Sequence, residues 1–107
     1  MNPTKFPSKD WKAWHNRMPG STPTLHVAGK VTCPTGGHTA RLVPAMPQGI
    51  NPSIYLLDLV VTPPAPDQIV TQAIADVDVH YVEQTNTSYD SVEIQPESLM
   101  VNVEVVV

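Results

Sequence analysis

From residue 25 onward the chain alternates. Leu25, Val27, Gly29, Val31 and Cys33 take turns with His26, Ala28, Lys30 and Thr32, the two-residue period of a half-buried β-strand. Gly36-Gly37 offers the positive φ angles of a tight hairpin, and His38 to Val43 forms the returning strand. Pro44, Pro47 and the run Gly49-Ile50-Asn51-Pro52 punctuate a loop. Ser53 to Thr62 is apolar on both parities, which predicts a central strand or one covered on both faces. Pro63, Pro64 and Pro66 close it, because proline cannot donate to a ladder. Val77, Val79 and Tyr81 then alternate with Asp76, Asp78 and His80, and Asn86-Thr87-Ser88 marks a turn. Val92 and Ile94 define a short strand up to Pro96. Leu99, Val101, Val103, Val105 and Val107 alternate with Met100, Asn102, Glu104 and Val106.

These six strands lie close together, and no helical pattern of about 10–15 residues separates them, which argues against βαβ units. The pattern predicts an all-β fold, an antiparallel two-sheet sandwich of immunoglobulin-like architecture. Only the architecture is meant, because the paired cysteines and core tryptophan of an antibody-type domain are absent. The first residues read differently. Ser8 is placed to cap a short helix over residues 9–17, which Pro19-Gly20 would end. Trp11, Trp14 and Met18 would then form one helical stripe. So short a helix is marginal alone and needs a surface, either the body's own sheet or a neighbouring subunit.

Charge divides the chain at the same place. Within residues 1–20, Lys5, Lys9, Lys12 and Arg17 oppose Asp10 alone, a net of +3. From residue 21, Lys30 and Arg41 oppose nine acids, a net of −7. The chain therefore reads as a basic aromatic arm, 1–20, and a β-sandwich domain, 21–107. An overall charge of −4 argues against a general nucleic-acid binder. The arm's Lys5, Phe6, Lys9, Trp11, Lys12, Trp14 and Arg17 suit an acidic protein surface better than bases or a membrane, whose anionic charge the acidic body would oppose. No apolar run reaches the ~18 residues of a membrane span, and Met1-Asn2-Pro3-Thr4-Lys5 does not begin a signal peptide. A cytoplasmic protein is expected.

Met18-Pro19-Gly20, Leu25-x-Val27-x-Gly29-x-Val31, Pro34-Thr35-Gly36-Gly37, Pro47-Gln48-Gly49-Ile50-Asn51-Pro52 and Leu56-Leu57-x-Leu59 resemble a family of small, uncharacterised bacterial β-sandwich proteins, some of them carried on mobile gene cassettes. The resemblance covers residues 18–107. It implies a fold and a bacterial source, and no activity, catalytic residue or ligand residue.

Candidate chemistry is sparse. Cys33 has inward parity and reads as a small buried hydrophobe. It flanks a hairpin turn with His38, but no third group is in view to complete a nucleophilic site. A lone cysteine allows neither an intrachain disulfide nor a cysteine zinc cluster. Gly36-Gly37 precedes a strand, so it presents no helix N-terminus to phosphate. The row Asp76, Asp78 and His80 is the most metal-like pattern, carboxylates and an imidazole alternating on one strand face; alternating polar residues also mark any solvated strand. His15 and His26 read as ordinary surface histidines. Asn86-Thr87-Ser88 matches a glycosylation acceptor, with a turn preferred.

No catalytic, cofactor or metal residue is assigned. The expected function is a non-enzymatic protein–protein interaction or structural module. The alternative is a small-molecule or carbohydrate-binding sandwich, or a very small hydrolase, with a pocket near the 44–52 loop containing Tyr55 or His38. The apolar final segment, Leu99 to Val107, lacks lysine and proline, two devices that protect open sheet edges. It points to a homodimer, two-fold contacts being the commonest closed assembly.

Overall fold

The computed structural model describes residues 7–70, 72–95 and 98–107. Lys5 and Phe6 of the basic arm lie outside the described residues, as does Pro96. Seven strands follow one another: β1 (Ser8–Asn16), β2 (Thr24–Cys33), β3 (Thr39–Pro44), β4 (Ile54–Thr62), β5 (Ala75–Gln84), β6 (Ser91–Gln95) and β7 (Leu99–Val106). The protein is all-β, with no helix among the described residues.

One mixed sheet links the strands in the order β3-β4-β6-β7-β1-β2-β5. Its two outer strands, β3 and β5, lie beside each other without a ladder between them, so the sheet is nearly closed into a barrel. A purely antiparallel arrangement was expected. Two pairs are parallel instead: β4 with β6, and β1 with β7. Neither pair is consecutive in sequence, and both sides of β7 are used. Its first half pairs with β6 and its second half with β1.

The short helix expected over residues 9–17 is strand β1. Its composition (Ser, Lys, Asp, Trp, Lys, Ala, Trp, His, Asn) holds no β-branched residue, so its local β preference is weak. Two flanking ladders, with β2 and β7, supply what propensity does not. A β-bulge hides its alternation. Lys9 faces Lys30 and Lys12 faces Ala28, so Asp10 and Trp11 together oppose Gly29. Asp10 takes the extra residue's strain in the left-handed region at φ 58°. The bulge reverses parity, so that Trp11 turns inward, followed by buried Ala13 and His15.

The core lies where the inward rows of the two halves meet: Leu25, Val27, Val31 and Val79 from one, Leu57, Val92 and Ile94 from the other. Cys33 is fully buried among them. Gly29 leaves a gap in its row, and the Trp11 indole fills it, with Nε1–H donating to Ser8 Oγ at 2.8 Å. The 45–53 loop satisfies itself. The Gln48 side chain accepts from Leu56 N–H at 2.8 Å and donates to the carbonyls of Ala45 and Leu56, extending the β4 edge as a strand would. Asn51 Oδ1 accepts from both the backbone N–H and the hydroxyl of Ser53.

A Cβ added at Gly29 would stand 2.3 Å from Trp11 Cε3. Gly29→Ala should therefore displace the indole and cost about 1–3 kcal/mol, the range for overpacking a filled site. Urea unfolding with tryptophan emission measures both effects; an unchanged midpoint and spectrum would show that the ring does not fill this gap.

Candidate functional site

The chemistry-bearing side chains gather on the outer face of β7, β1, β2 and β5. The registers place Glu104, Trp14, His26 and Val82 in one row across these four strands. Trp14 and His26 stack with ring centroids 4.9 Å apart and planes within 2°. His80, opposite Ala28 on β5, reaches back diagonally to His26, and His26 Nδ1 lies 3.4 Å from His80 Nε2. The other His26 nitrogen, Nε2, is 3.1 Å from Thr24 Oγ1. Burial beneath this stack, and then the charge of His80, hold His26 below the usual imidazole range.

Beside the stack, the small residues Ala28 and Gly29 floor an open concavity of about 630 Å³. Asp10, Lys12, Lys30, Asp78 and His80 stand around it. The bulge helps build this rim, because it sets Asp10 at the mouth and turns Lys12 outward. A second concavity of about 660 Å³ opens where β1 and β7 stop pairing, upstream of Ala13 and Val103. Trp11, Trp14, Leu99 and Met100 line it.

The row Asp76, Asp78 and His80 does not converge. Each member meets a different partner on the neighbouring strands. Asp76 forms an ion pair with Lys9 at 3.1 Å and accepts from Thr32 Oγ1 at 2.8 Å. Those two contacts hold its carboxyl below the usual range. Asp78 lies opposite Lys30, and His80 turns to His26. No group of three or more His, Cys, Asp or Glu among the described residues is arranged to hold a metal ion.

Two histidines differ from their expected surface role. His26 is half-buried in the stack, and His15 is 2 % exposed. His15 Nε2 meets the Thr85 carbonyl at 2.9 Å, and Nδ1 meets Arg17 Nε at 3.2 Å. A carbonyl only accepts and a guanidinium only donates, so His15 carries its proton on Nε2. Arg17 also donates to the Asn86 carbonyl at 2.6 Å. The basic end of β1 thus pins the loop that contains Asn86-Thr87-Ser88.

Cys33 is sealed, and burial, followed by the charge of Asp76, pushes its thiol up, away from the reactive thiolate. His38 Nδ1 lies 3.1 Å from the Thr35 carbonyl across its own turn. Tyr55 is buried, stacked on Tyr89 at 4.7 Å. Its hydroxyl donates to Glu83 Oε1 at 2.7 Å, and Tyr81 donates to the same oxygen. One carboxylate therefore ties β4 to β5 across the core. Neither Tyr55 nor His38 lines the two outer concavities, which lie away from the 44–52 loop where a pocket was expected. Parity alone could have put His26 and His80 on one face, but not in contact.

No protein-family profile, curated protein or solved structure matches this chain.

Titration should expose both clusters. Burial and the Glu83 carboxylate raise the Tyr55 and Tyr81 hydroxyls above the ordinary value near 10. The unfolded chain then loses these protons first, so stability is complete below about pH 10 and falls as pH rises beyond it. Phenolate absorbance should show these two ionising together with unfolding. Tyr55→Phe should cost about 1.5–3 kcal/mol, the range for a hydrogen bond to a charged group, in urea unfolding. At the acid end His26 acts with the opposite sign. Its folded value lies below the unfolded one, so its contribution is complete above about pH 6.5 and is lost as pH falls. His26→Gln should flatten the melting temperature across that window; an undiminished slope would place the dependence elsewhere.

Proposed function

We propose that this protein is a non-enzymatic interaction module that pairs with a second copy of itself through the outer face of β7, β1, β2 and β5. The observation that carries this reading is the row Trp14, His26 and Val82 on that face, closed on β7 by Glu104 with Val106 diagonal to Trp14; Val82 is 51 % exposed. Lys12 and Lys30 stand among Asp10, Asp78 and Glu104, so the face carries both signs. A two-fold contact brings a patch against itself, and mixed charge is self-complementary under that symmetry. The Leu99–Val107 strand, or the sheet that carries it, was expected to make the contact. β7 already uses one side of its first half for β6 and the opposite side of its second half for β1, and the sheet is the route taken here. The face, rather than an edge, offers the contact.

The architecture of the module is read as a sandwich of immunoglobulin-like type. β3, β4 and β6 form one layer, β1, β2 and β5 the other, and β7 belongs to both. The inward rows of the two layers, meeting in one core, support this reading. The resemblance to small bacterial β-sandwich proteins fits the same description.

A second reading is a small-molecule or carbohydrate site in the concavity over Ala28 and Gly29. Its volume is within the range of ligand sites, and it sets charged groups of both signs beside the Trp14–His26 stack. Chemical-shift perturbation of the Ala28 and Gly29 amides by oligosaccharides would support it; unperturbed amides at saturating sugar would remove it.

Light scattering at micromolar concentration should give a dimer mass, and Val82→Lys should give a folded monomer. Trp14→Ala should weaken the dimer by about 2 kcal/mol or more, as central tryptophans do. A monomer mass that persists at low salt overturns the self-association reading.

A further inference from the structure

His26 and His80 are 54 residues apart in sequence and adjacent on the sheet. Their ring centroids are 5.6 Å apart while His26 Nδ1 and His80 Nε2 are separated by only 3.4 Å. The imidazoles therefore meet edge to edge, nitrogen toward nitrogen, rather than face to face. We propose that His26 and His80 form a two-imidazole site for a divalent transition ion of the zinc, nickel or copper class.

Three features on this face support the assignment. The first is spacing. Two nitrogens each about 2.0–2.1 Å from a tetrahedral ion lie roughly 3.3–3.4 Å from one another, which is the separation already present here. Turning each ring by roughly 35° aims both lone pairs at one point without changing that distance. The second is the outer hydrogen bond. Thr24 Oγ1 lies 3.1 Å from His26 Nε2. With the Nε2 proton donated to that hydroxyl, the Nδ1 lone pair is left for the ion, the partner arrangement that orients metal-binding histidines. The third is rigidity. Trp14 stacks on His26 at 4.9 Å, and the β2–β5 ladder fixes both backbones throughout Thr24–Cys33.

Imidazole ligands select this class of ion over magnesium or calcium, which prefer oxygen. The protein supplies two ligands. Asp76 is committed to Lys9 and Thr32, so water completes the coordination on the exposed His80 side. Both rings must be neutral to bind, and binding therefore releases protons and weakens with acid.

The test is calorimetric titration of nickel chloride and zinc chloride into full-length protein free of any histidine tag. Saturable binding of one ion per His26–His80 pair, with a dissociation constant in the micromolar range, is expected. His80→Gln and His26→Gln should each abolish it, while circular dichroism shows the fold intact. Thr24→Val should weaken it about tenfold or more, the effect of removing a partner behind a ligand. His38→Gln should leave it unchanged. Copper-loaded protein should show nitrogen ligation in its electron paramagnetic resonance spectrum, lost in His80→Gln. Absence of saturable binding below millimolar ion overturns the proposal. So does affinity that survives His80→Gln, or that falls with His38→Gln instead.

Discussion

Four residues of parallel ladder hold the two halves of this protein in one sheet. Ala13, Trp14, His15 and Asn16 of β1 lie against Val103, Glu104, Val105 and Val106 of β7. Without that seam, β1, β2 and β5 would form one small sheet, and β3, β4, β6 and β7 another, joined across the shared core and the Tyr55–Glu83 tie but by no ladder. The seam ends sharply on one side, where the Asp10 bulge leads β1 away from β7. On the other side Arg17 extends it. Its N–H donates to the Val106 carbonyl at 2.7 Å, and its guanidinium reaches His15 and Asn86.

The seam also sets what each face of β1 can do. Within it, Ala13 and His15 point into the core while Trp14 points out to His26. Upstream, the bulge lets Trp11 turn inward and fill the place of the missing Gly29 side chain. The two tryptophans, three residues apart, thus serve opposite purposes: one completes the interior, the other forms the centre of the exposed aromatic row. A strand without the bulge would keep the two indoles on opposite sides but exchange their faces, sending Trp14 inward and Trp11 out, relative to Ser8 and Lys9.

Polar groups inside the molecule are handled by concentrated ties. Glu83 receives two tyrosine hydroxyls from different strands. His15 meets a backbone carbonyl with one nitrogen and a guanidinium with the other. No buried side-chain nitrogen or oxygen among the described residues lacks a partner. Each tie is worth more in the low-dielectric interior than on the surface, and each would be costly to leave half made. The outer face follows a different rule. There, mixed charges, two imidazoles and an indole remain open to exchange partners.

The strands from β2 onward were legible in the sequence, because alternation is a local property that each segment carries by itself. So were the inward parity of Cys33 and the outward parity of His26, Asp78 and His80. The fate of residues 8–16 was not legible. Their spacing fits a helical stripe, they contain no β-branched residue, and only the neighbours β2 and β7 make them a strand. The two parallel pairings were hidden for the same reason, since periodicity says which way side chains alternate and nothing about which strand lies alongside. The contacts that define the candidate site, His26 with His80 and Trp14 with His26, depend on register between strands distant in sequence. Burial of His15 depends on a carbonyl 70 residues away. Local pattern determined the elements and their faces; long-range pairing alone decided which chemical groups meet.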